Sequence, residues 1–150
     1  MSGESNLDRL LEKISPQLHD GSFVFLTSSE IFPPDVLREA VMIFKEIEGL
    51  TVIARDEIVG TLGSGAPRWA MITLNVHSDL NAVGFLAVIT KRLAEAGISV
   101  NAVSAYYHDH LFIPWDRKDE AMKILMVNHE NNLQCETNDS ERSGAAAQDS

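Results

Sequence analysis

The clearest hydrophobic pattern of the chain lies between residues 69 and 114. Residues 69–76 are mostly large or β-branched apolar residues, which predicts a strand that ends at the polar stretch 77–81. From 82 to 96, apolar residues recur at spacings of three and four, as on one face of a helix, and Gly97 suits a left-handed C-cap. Strands at 98–107 and 111–113 are predicted on either side of a polar turn at 108–110.

The residues before this region predict more strands but only short helices. Apolar residues with helical spacing at 7–14, after Ser5 or Asn6 as N-cap and before Pro16, predict a short docking helix. A strand is predicted at 22–27, a helical turn at 34–38 and a short helix at 56–59. Residues 41–44 and 50–53 flank Gly49 and predict a hairpin.

The predicted strands do not divide evenly between the two parts. A last helix is predicted from 117 to about 127, with Asp116 as its N-cap, and no convincing strand follows it. A sheet built from the strands of 69–113 needs a fourth strand to cover its edge. We expect the first half to supply that strand, with 23–26 as the best candidate, so that the two halves interlock.

Several of these motifs resemble a known family. The run 72–113, with Leu93-Ala94-Glu95-Ala96-Gly97-Ile98-Ser99, resembles the first two thirds of an ACT domain. Residues 76–78, 82–84 and 106–114, and N-terminal motifs such as Phe23-Val24-Phe25 and Glu48-Gly49-Leu50-Thr51, are similar to an uncharacterised family of short stand-alone ACT proteins. The resemblance covers about residues 7–127.

This resemblance implies the fold and the broad function. ACT domains are ferredoxin-like βαββαβ regulatory modules that usually bind amino acids. We therefore expect an α+β protein of two interlocked ACT-like halves, with antiparallel sheets and helices packed on one face. The expected division is a degenerate ACT-like half at 1–66, an ACT domain at 67–130 and a disordered polar tail at 131–150, which has too few apolar residues to offset the entropy of ordering.

Composition and charge narrow the classes of function. The 150 residues contain no apolar run long enough to span a bilayer, and residues 1–5 lack the character of a signal peptide, so we expect a cytoplasmic protein without membrane contact. One cysteine, Cys135, excludes an intramolecular disulfide. A net charge of −10 argues against nucleic acid, whose phosphates need clustered Lys and Arg.

The loop between the central strand and helix is the first candidate for ligand binding. Its candidate residues are His77, Ser78, Asp79, Leu80, Asn81, Val83 and Gly84. A helix start offers unpaired N–H groups and a partial positive charge to the α-carboxylate of an amino acid, and Asp79 or Asn81 could receive its ammonium group. In ACT domains this loop is where ligands usually sit. Alternatively, Asp79 or Asn81 only caps the helix and Gly84 only permits close packing.

Two histidines and an asparagine complete the candidate ligand residues. His108 and His110 would face the same way on an extended strand, as some metal sites require. A third ligand would have to be His77 or Asp109, and nothing in the spacing of these residues requires it. We favour local hydrogen bonds over a metal and expect no metal site. Asn101 starts the strand after the central helix, where some ACT proteins contribute an amide to a ligand.

These observations predict a binding protein rather than an enzyme. The chain has no GxSxG motif, Walker loop, GxGxxG after a strand or CxxC pair, so we expect no catalytic residues and no cofactor. The preferred function is a regulatory protein that binds a small molecule, in particular an amino acid, with a homodimer as a compatible assembly. The alternative is an interaction module that pairs through its ACT-like sheets and binds no small ligand.

Overall fold

The computed structural model describes residues 6–76 and 83–126. Its helices are α1 (Leu7–Glu12), α2 (Pro34–Glu39), α3 (Asp56–Val59), α4 (Phe85–Glu95) and α5 (118–126), with 3-10 turns at Gly60–Gly63 and Trp115–Arg117. Its strands are β1 (Pro16–Leu18), β2 (Phe23–Ser28), β3 (Met42–Lys45), β4 (Leu50–Arg55), β5 (Trp69–Leu74), β6 (Asn101–Ser104) and β7 (Asp109–Pro114).

Local sequence signals explain where several of these elements begin and turn. The Asn6 side chain caps α1 by accepting the Arg9 backbone N–H at 3.1 Å. The β3–β4 hairpin turns at Gly49, which has a φ of 154°, and a Cβ there would lie 2.4 Å from the Ser28 carbonyl oxygen. Only glycine fits that approach, and the antiparallel pairing of β3 with β4 confirms the hairpin predicted around Gly49.

The seven strands of the described residues join one antiparallel sheet. Its order is β3-β4-β2-β5-β7-β6, and β1 pairs with β5 beside β2. The two halves therefore share a sheet instead of forming one each. Their own strands meet directly at a single residue pair, Phe23 with Trp69.

The fourth strand of the second half does come from the N-terminal part, but mostly from another segment than predicted. β1 pairs with β5 from Pro16–Leu74 to Leu18–Ile72, and the His19 N–H continues the ladder to the Met71 carbonyl at 3.0 Å. Residues 23–26 were the wrong candidate, since only Phe23 pairs with β5. The pattern did not reveal β1 because it is short and begins with a proline that was interpreted as the end of a helix.

The helices pack on one face of the sheet, as predicted. In the second half, α1, α4 and α5 bury Leu10, Ile89 and Leu125 against strands β5 and β7. In the first half, α2 and α3 bury Val36 and Val59 against β2 and β4. The helices α2 to α5 each pack on the half to which they belong, whereas α1 comes from the N-terminal segment and packs on the second half. This crossing confirms the interlocked arrangement.

The opposite face of the sheet has its own apolar cluster, made of strand residues. Phe23, Ile53, Met71 and Phe112 are its buried members, without a helix in the cluster. Residues from both outer strands, β3 and β6, line a common cavity on this side. The sheet therefore curls toward itself, and we call this side the concave face.

The β6–β7 turn lies earlier than predicted. The Ala105 N–H bonds to the His108 carbonyl at 3.0 Å, so the turn spans 105–108 instead of 108–110. Asp109 starts β7, where its buried carboxylate accepts a hydrogen bond from the Ser104 hydroxyl at 2.6 Å. Asp109 resembles a turn residue in the sequence because it is polar, but its hydrogen-bond partner Ser104 lies on the neighbouring strand.

Some predictions fall on residues outside the described ranges. These are the polar tail at 131–150, Cys135 and the loop residues His77 to Asn81. The division of the chain at residues 66 and 130 also stays a prediction. Within the described ranges, no helix has the length and apolar character of a membrane-spanning segment.

Candidate functional site

The two ends of the candidate ligand loop are held firmly by the fold. After β5, the Asn75 N–H donates to the Ser15 carbonyl at 3.0 Å, and its side-chain amide donates to Gln17 at 3.0 Å. On the other side, α4 is anchored by its buried residues Phe85 and Ile89. The predicted loop therefore leaves a fixed strand and returns to a fixed helix.

Gly84 is the N-cap of α4. It has a φ of 89°, and its carbonyl accepts the first helical hydrogen bond, from Val88 N–H at 3.1 Å. The helix begins at Phe85, later than the periodicity from residue 82 indicated, so its N-cap position is neither Asp79 nor Asn81. A Cβ on Gly84 would meet the Leu7 side chain at an ordinary 3.5 Å, so the left-handed backbone, and not close packing, favours glycine here.

The start of α4 has the properties that an anion needs. Gly84 has no side chain to accept the N–H groups of the first turn, and the first turn contains no acidic residue. The partial positive charge of the helix is therefore not compensated by the helix itself. Val83, the loop residue before it, is 85% exposed, so the approach is open on that side.

His108 lies next to the beginning of the loop, whereas His110 lies on the concave face. The His108 Nδ1 atom is 3.5 Å from the Val76 carbonyl oxygen. His110 pairs with Thr73 across β5 and β7, and its Nδ1 atom is 2.9 Å from the Thr73 hydroxyl. Both histidines therefore make hydrogen bonds, as predicted for this pair. The His108 ring lies near the start of the loop and the His110 ring lies on the concave face.

A third histidine, His19, also lies in this region, although the sequence pattern does not indicate it. The His19 Nε2 atom lies 2.7 Å from the Thr73 hydroxyl, which thus links His19 to His110. His19 directly follows β1, and recognising it required knowing that β1 pairs with β5. No spacing in the sequence indicates that pairing.

Their environment favours the neutral form of both linked histidines. Burial lowers the pKa of His110, and nearby His108 and His19 lower it further against the opposing effect of Asp109. Burial, followed by the charge of Arg55, lowers the pKa of His19, while Asp20 acts in the opposite direction. The single Thr73 hydroxyl can donate to one neutral ring and accept from the other, which suits two neutral imidazoles.

The remaining candidates are not all brought together. Asp109 turns toward Ser104 and the helix-covered side of β7, away from His110, and within the described residues no three His, Cys, Asp or Glu side chains could hold a metal ion. Asn101 is exposed and pairs with Phe112, at the end of the β6–β7 hairpin away from His108. His77 to Asn81 lie outside the described residues.

Comparison with known proteins agrees with this architecture. Two family models described as ACT domain match residues 2–58 and 64–126. A search of the curated proteins found no significant match. Among solved structures, protein VC0802 of Vibrio cholerae, of unknown function, is 38% identical with a TM-score of 0.69, over 78% of this chain and 91% of that one.

Two more distant structures share the fold. The aspartokinase alpha and beta subunits match at 15% identity and a TM-score of 0.54, over 77% of this chain and 97% of that one. The regulatory subunit of aspartate kinase from Thermus thermophilus matches at 9% identity and a TM-score of 0.55, over the same shares of the two chains. With both halves matched by family models and a relative aligned over most of its length, this chain belongs to the ACT-domain family.

Proposed function

We propose that this protein is a non-enzymatic regulatory protein of the cytoplasm that binds an amino acid at the loop before α4. The observation that carries the proposal is the start of α4 in an ACT-domain chain, where a left-handed Gly84 cap leaves the first-turn N–H groups without a side-chain acceptor of its own. Such a helix start suits the α-carboxylate. Membership of a regulatory family, with no catalytic family among the matches, supports a role without chemistry.

The other candidate residues take roles around this carboxylate. Asp79 or Asn81 would receive the α-ammonium group, and His77, Ser78, Leu80 and Val83 would surround the rest of the ligand. His108 is near enough to the loop through Val76 to contact it. Asn101 and His110 lie farther along the β6–β7 hairpin, and we keep them as ligand residues only for a ligand that extends along the sheet.

A melting-temperature screen against the common amino acids tests this proposal. A ligand at 100 times its dissociation constant adds about 2.7 kcal/mol, which raises the melting temperature by several degrees in a chain of this size. The matched controls are the amide of the active amino acid, which lacks the carboxylate, and its N-acetyl derivative, which lacks the ammonium group. Both should lose the effect, and a screen in which no amino acid stabilises the protein would contradict the proposal.

The interaction-module alternative is favoured by one specific observation. The β3–β4 hairpin, at the edge of the sheet, exposes Ile43, Phe44 and Ile47, of which Ile47 has no burial at all. An exposed apolar edge strand is a template for pairing with another chain, including a second copy of this one. If this strand pairs with a second copy of the chain, sedimentation should show a dimer, and Phe44→Lys should dissociate it. A monomer at micromolar concentration would exclude this homodimer.

A further inference from the structure

The concave face contains a cavity that is separate from the start of α4. The cavity has a volume of about 240 Å³ and is lined by Val41, Met42, Met71, Val103, His110 and Phe112. Cavities that bind drug-sized ligands have volumes of roughly 300 Å³ and more, whereas benzene fits an apolar cavity of about 150 Å³. The space therefore suits a compact molecule of one ring or a branched chain.

His110 is the polar residue of this apolar lining. Its Nδ1 atom is already bonded to the Thr73 hydroxyl, which in turn is bonded to His19, so the ring is fixed in orientation. Its Nε2 atom makes no hydrogen bond with any described residue. This atom is not fully buried, so a small molecule can reach it. One positioned ring nitrogen is thus available to a molecule inside the cavity.

The surroundings of His110 favour an uncharged occupant. Burial lowers the pKa of His110, which favours the neutral imidazole. A carboxylate placed among methionine, valine and phenylalanine side chains would lose its hydration without a cation to replace it, which is costly. A hydroxyl group instead needs one hydrogen-bond partner, and the neutral imidazole supplies it.

We propose that the concave face is a second small-molecule site, which takes an uncharged, mainly apolar molecule of about one ring whose single hydroxyl group bonds to His110. Its occupant contacts Val41 and Met42 of the first half and Met71, Val103 and Phe112 of the second. The occupant thus adds contacts between two halves whose strands β2 and β5 pair only at Phe23 and Trp69. Occupancy of this site would therefore hold the halves together.

Methyl NMR titration tests the site directly, because methionine and valine methyl groups line it. Benzyl alcohol should shift the methyl signals of Met42, Met71, Val41 and Val103 in a saturable way. Val103→Phe fills the cavity and should weaken binding about tenfold or more, and Met42→Trp is a second filling variant. The matched control is Ile43→Phe, which adds the same ring on the opposite face of β3 and should leave the affinity unchanged.

Two comparisons then define the chemistry of the occupant. His110→Leu should weaken benzyl alcohol about fivefold, as for one lost neutral hydrogen bond, but should not weaken toluene. Benzoate should bind about tenfold or more weakly than benzyl alcohol, because its charge would be desolvated. Equal affinities for parent and both filling variants, tighter binding of benzoate, or a dimer whose interface protects these methyl groups from benzyl alcohol would overturn the proposal.

Discussion

The two halves of this protein follow the same plan but differ in how completely they bury their apolar residues. The second half covers its strands with α1, α4 and α5, and its core includes Leu10 and Ile14 from the N-terminal segment. The first half has only the short α2 and α3, which cover a smaller core around Val24, Val52 and Val36. The N-terminal segment thus adds to the core of the second half, whereas the first half is covered by its own short helices.

The exposed residues show the same difference. Of the large apolar residues that are exposed, the first half contributes Ile31, Val41, Ile43, Phe44, Ile47 and Leu62. What attaches this half to the rest includes the Phe23–Trp69 pair and Arg68, which binds Asp56 of α3 at 2.7 Å and the Ala66 carbonyl at 2.6 Å. The two ACT-like halves therefore cover their apolar residues unequally, and the borrowed segment contributes to that difference.

The largest effect is expected from the borrowed segment. Leu10→Ala should lower the free energy of unfolding by about 2–5 kcal/mol, because Leu10 is fully buried between α4 and the sheet although it is in the N-terminal segment. Urea denaturation measures this. Leu11→Ala is the matched control, since Leu11 is only partly buried and should cost less. Equal, small losses in both variants would show that α1 is peripheral and that the halves do not depend on it.

A core substitution in the first half should have a smaller effect. Val36→Ala removes a buried side chain of α2 and should cost about 2 kcal/mol, from the lost apolar contacts and the cavity left behind. Val41→Ala, at a half-exposed position nearby, should cost little. If Val36→Ala destabilised the protein as much as Leu10→Ala, the contrast between the two halves would be wrong.

Substitution of Gly84, the left-handed cap of α4, should have a still smaller effect on the free energy of unfolding. Gly84→Ala should lower the free energy of unfolding by about 1–2 kcal/mol, because a side chain disfavours a φ of 89° although the space around it is sufficient. Gly84→Asn should cost less, since asparagine tolerates this backbone better than alanine. Thermal unfolding of the three proteins gives the comparison, and an alanine variant as stable as the parent would exclude a strained cap.

The smallest effect concerns pH and the His19–Thr73–His110 link. Because folding lowers the pKa of both histidines below their ordinary 6.5, the unfolded chain binds more protons as the pH falls through that value, and stability should decrease there. His110→Gln should reduce this decrease. Urea denaturation at several pH values between 5 and 8 measures the slope, and parallel profiles for parent and variant would show that His110 is not involved.

The sequence predicted those features that depend on local patterns. Helical spacing located α4, Gly49 located the β3–β4 hairpin, and the absence of a strand after α5 indicated a borrowed one. β1 was not predicted, because Leu18 is its one large apolar residue and its pairing with β5 is a long-range contact. His19 meets Thr73 through the same long-range pairing, and the cavity needs residues from both halves, so no local signal could bring them together. Asp109 was misplaced because its partner Ser104 lies on another strand.

We expect an amino acid to bind at the loop before α4, and calorimetric titration of the amino acid that raises the melting temperature most measures this binding. Asp79→Ala should weaken binding by about 1–3 kcal/mol, as for a lost charged hydrogen bond, while it changes stability by no more than about 1 kcal/mol. His110→Leu is measured beside it, because it alters the concave face and shows whether the amino acid reaches that side. Unchanged affinity in Asp79→Ala together with lost affinity in His110→Leu would contradict the claim and place the amino acid on the concave face.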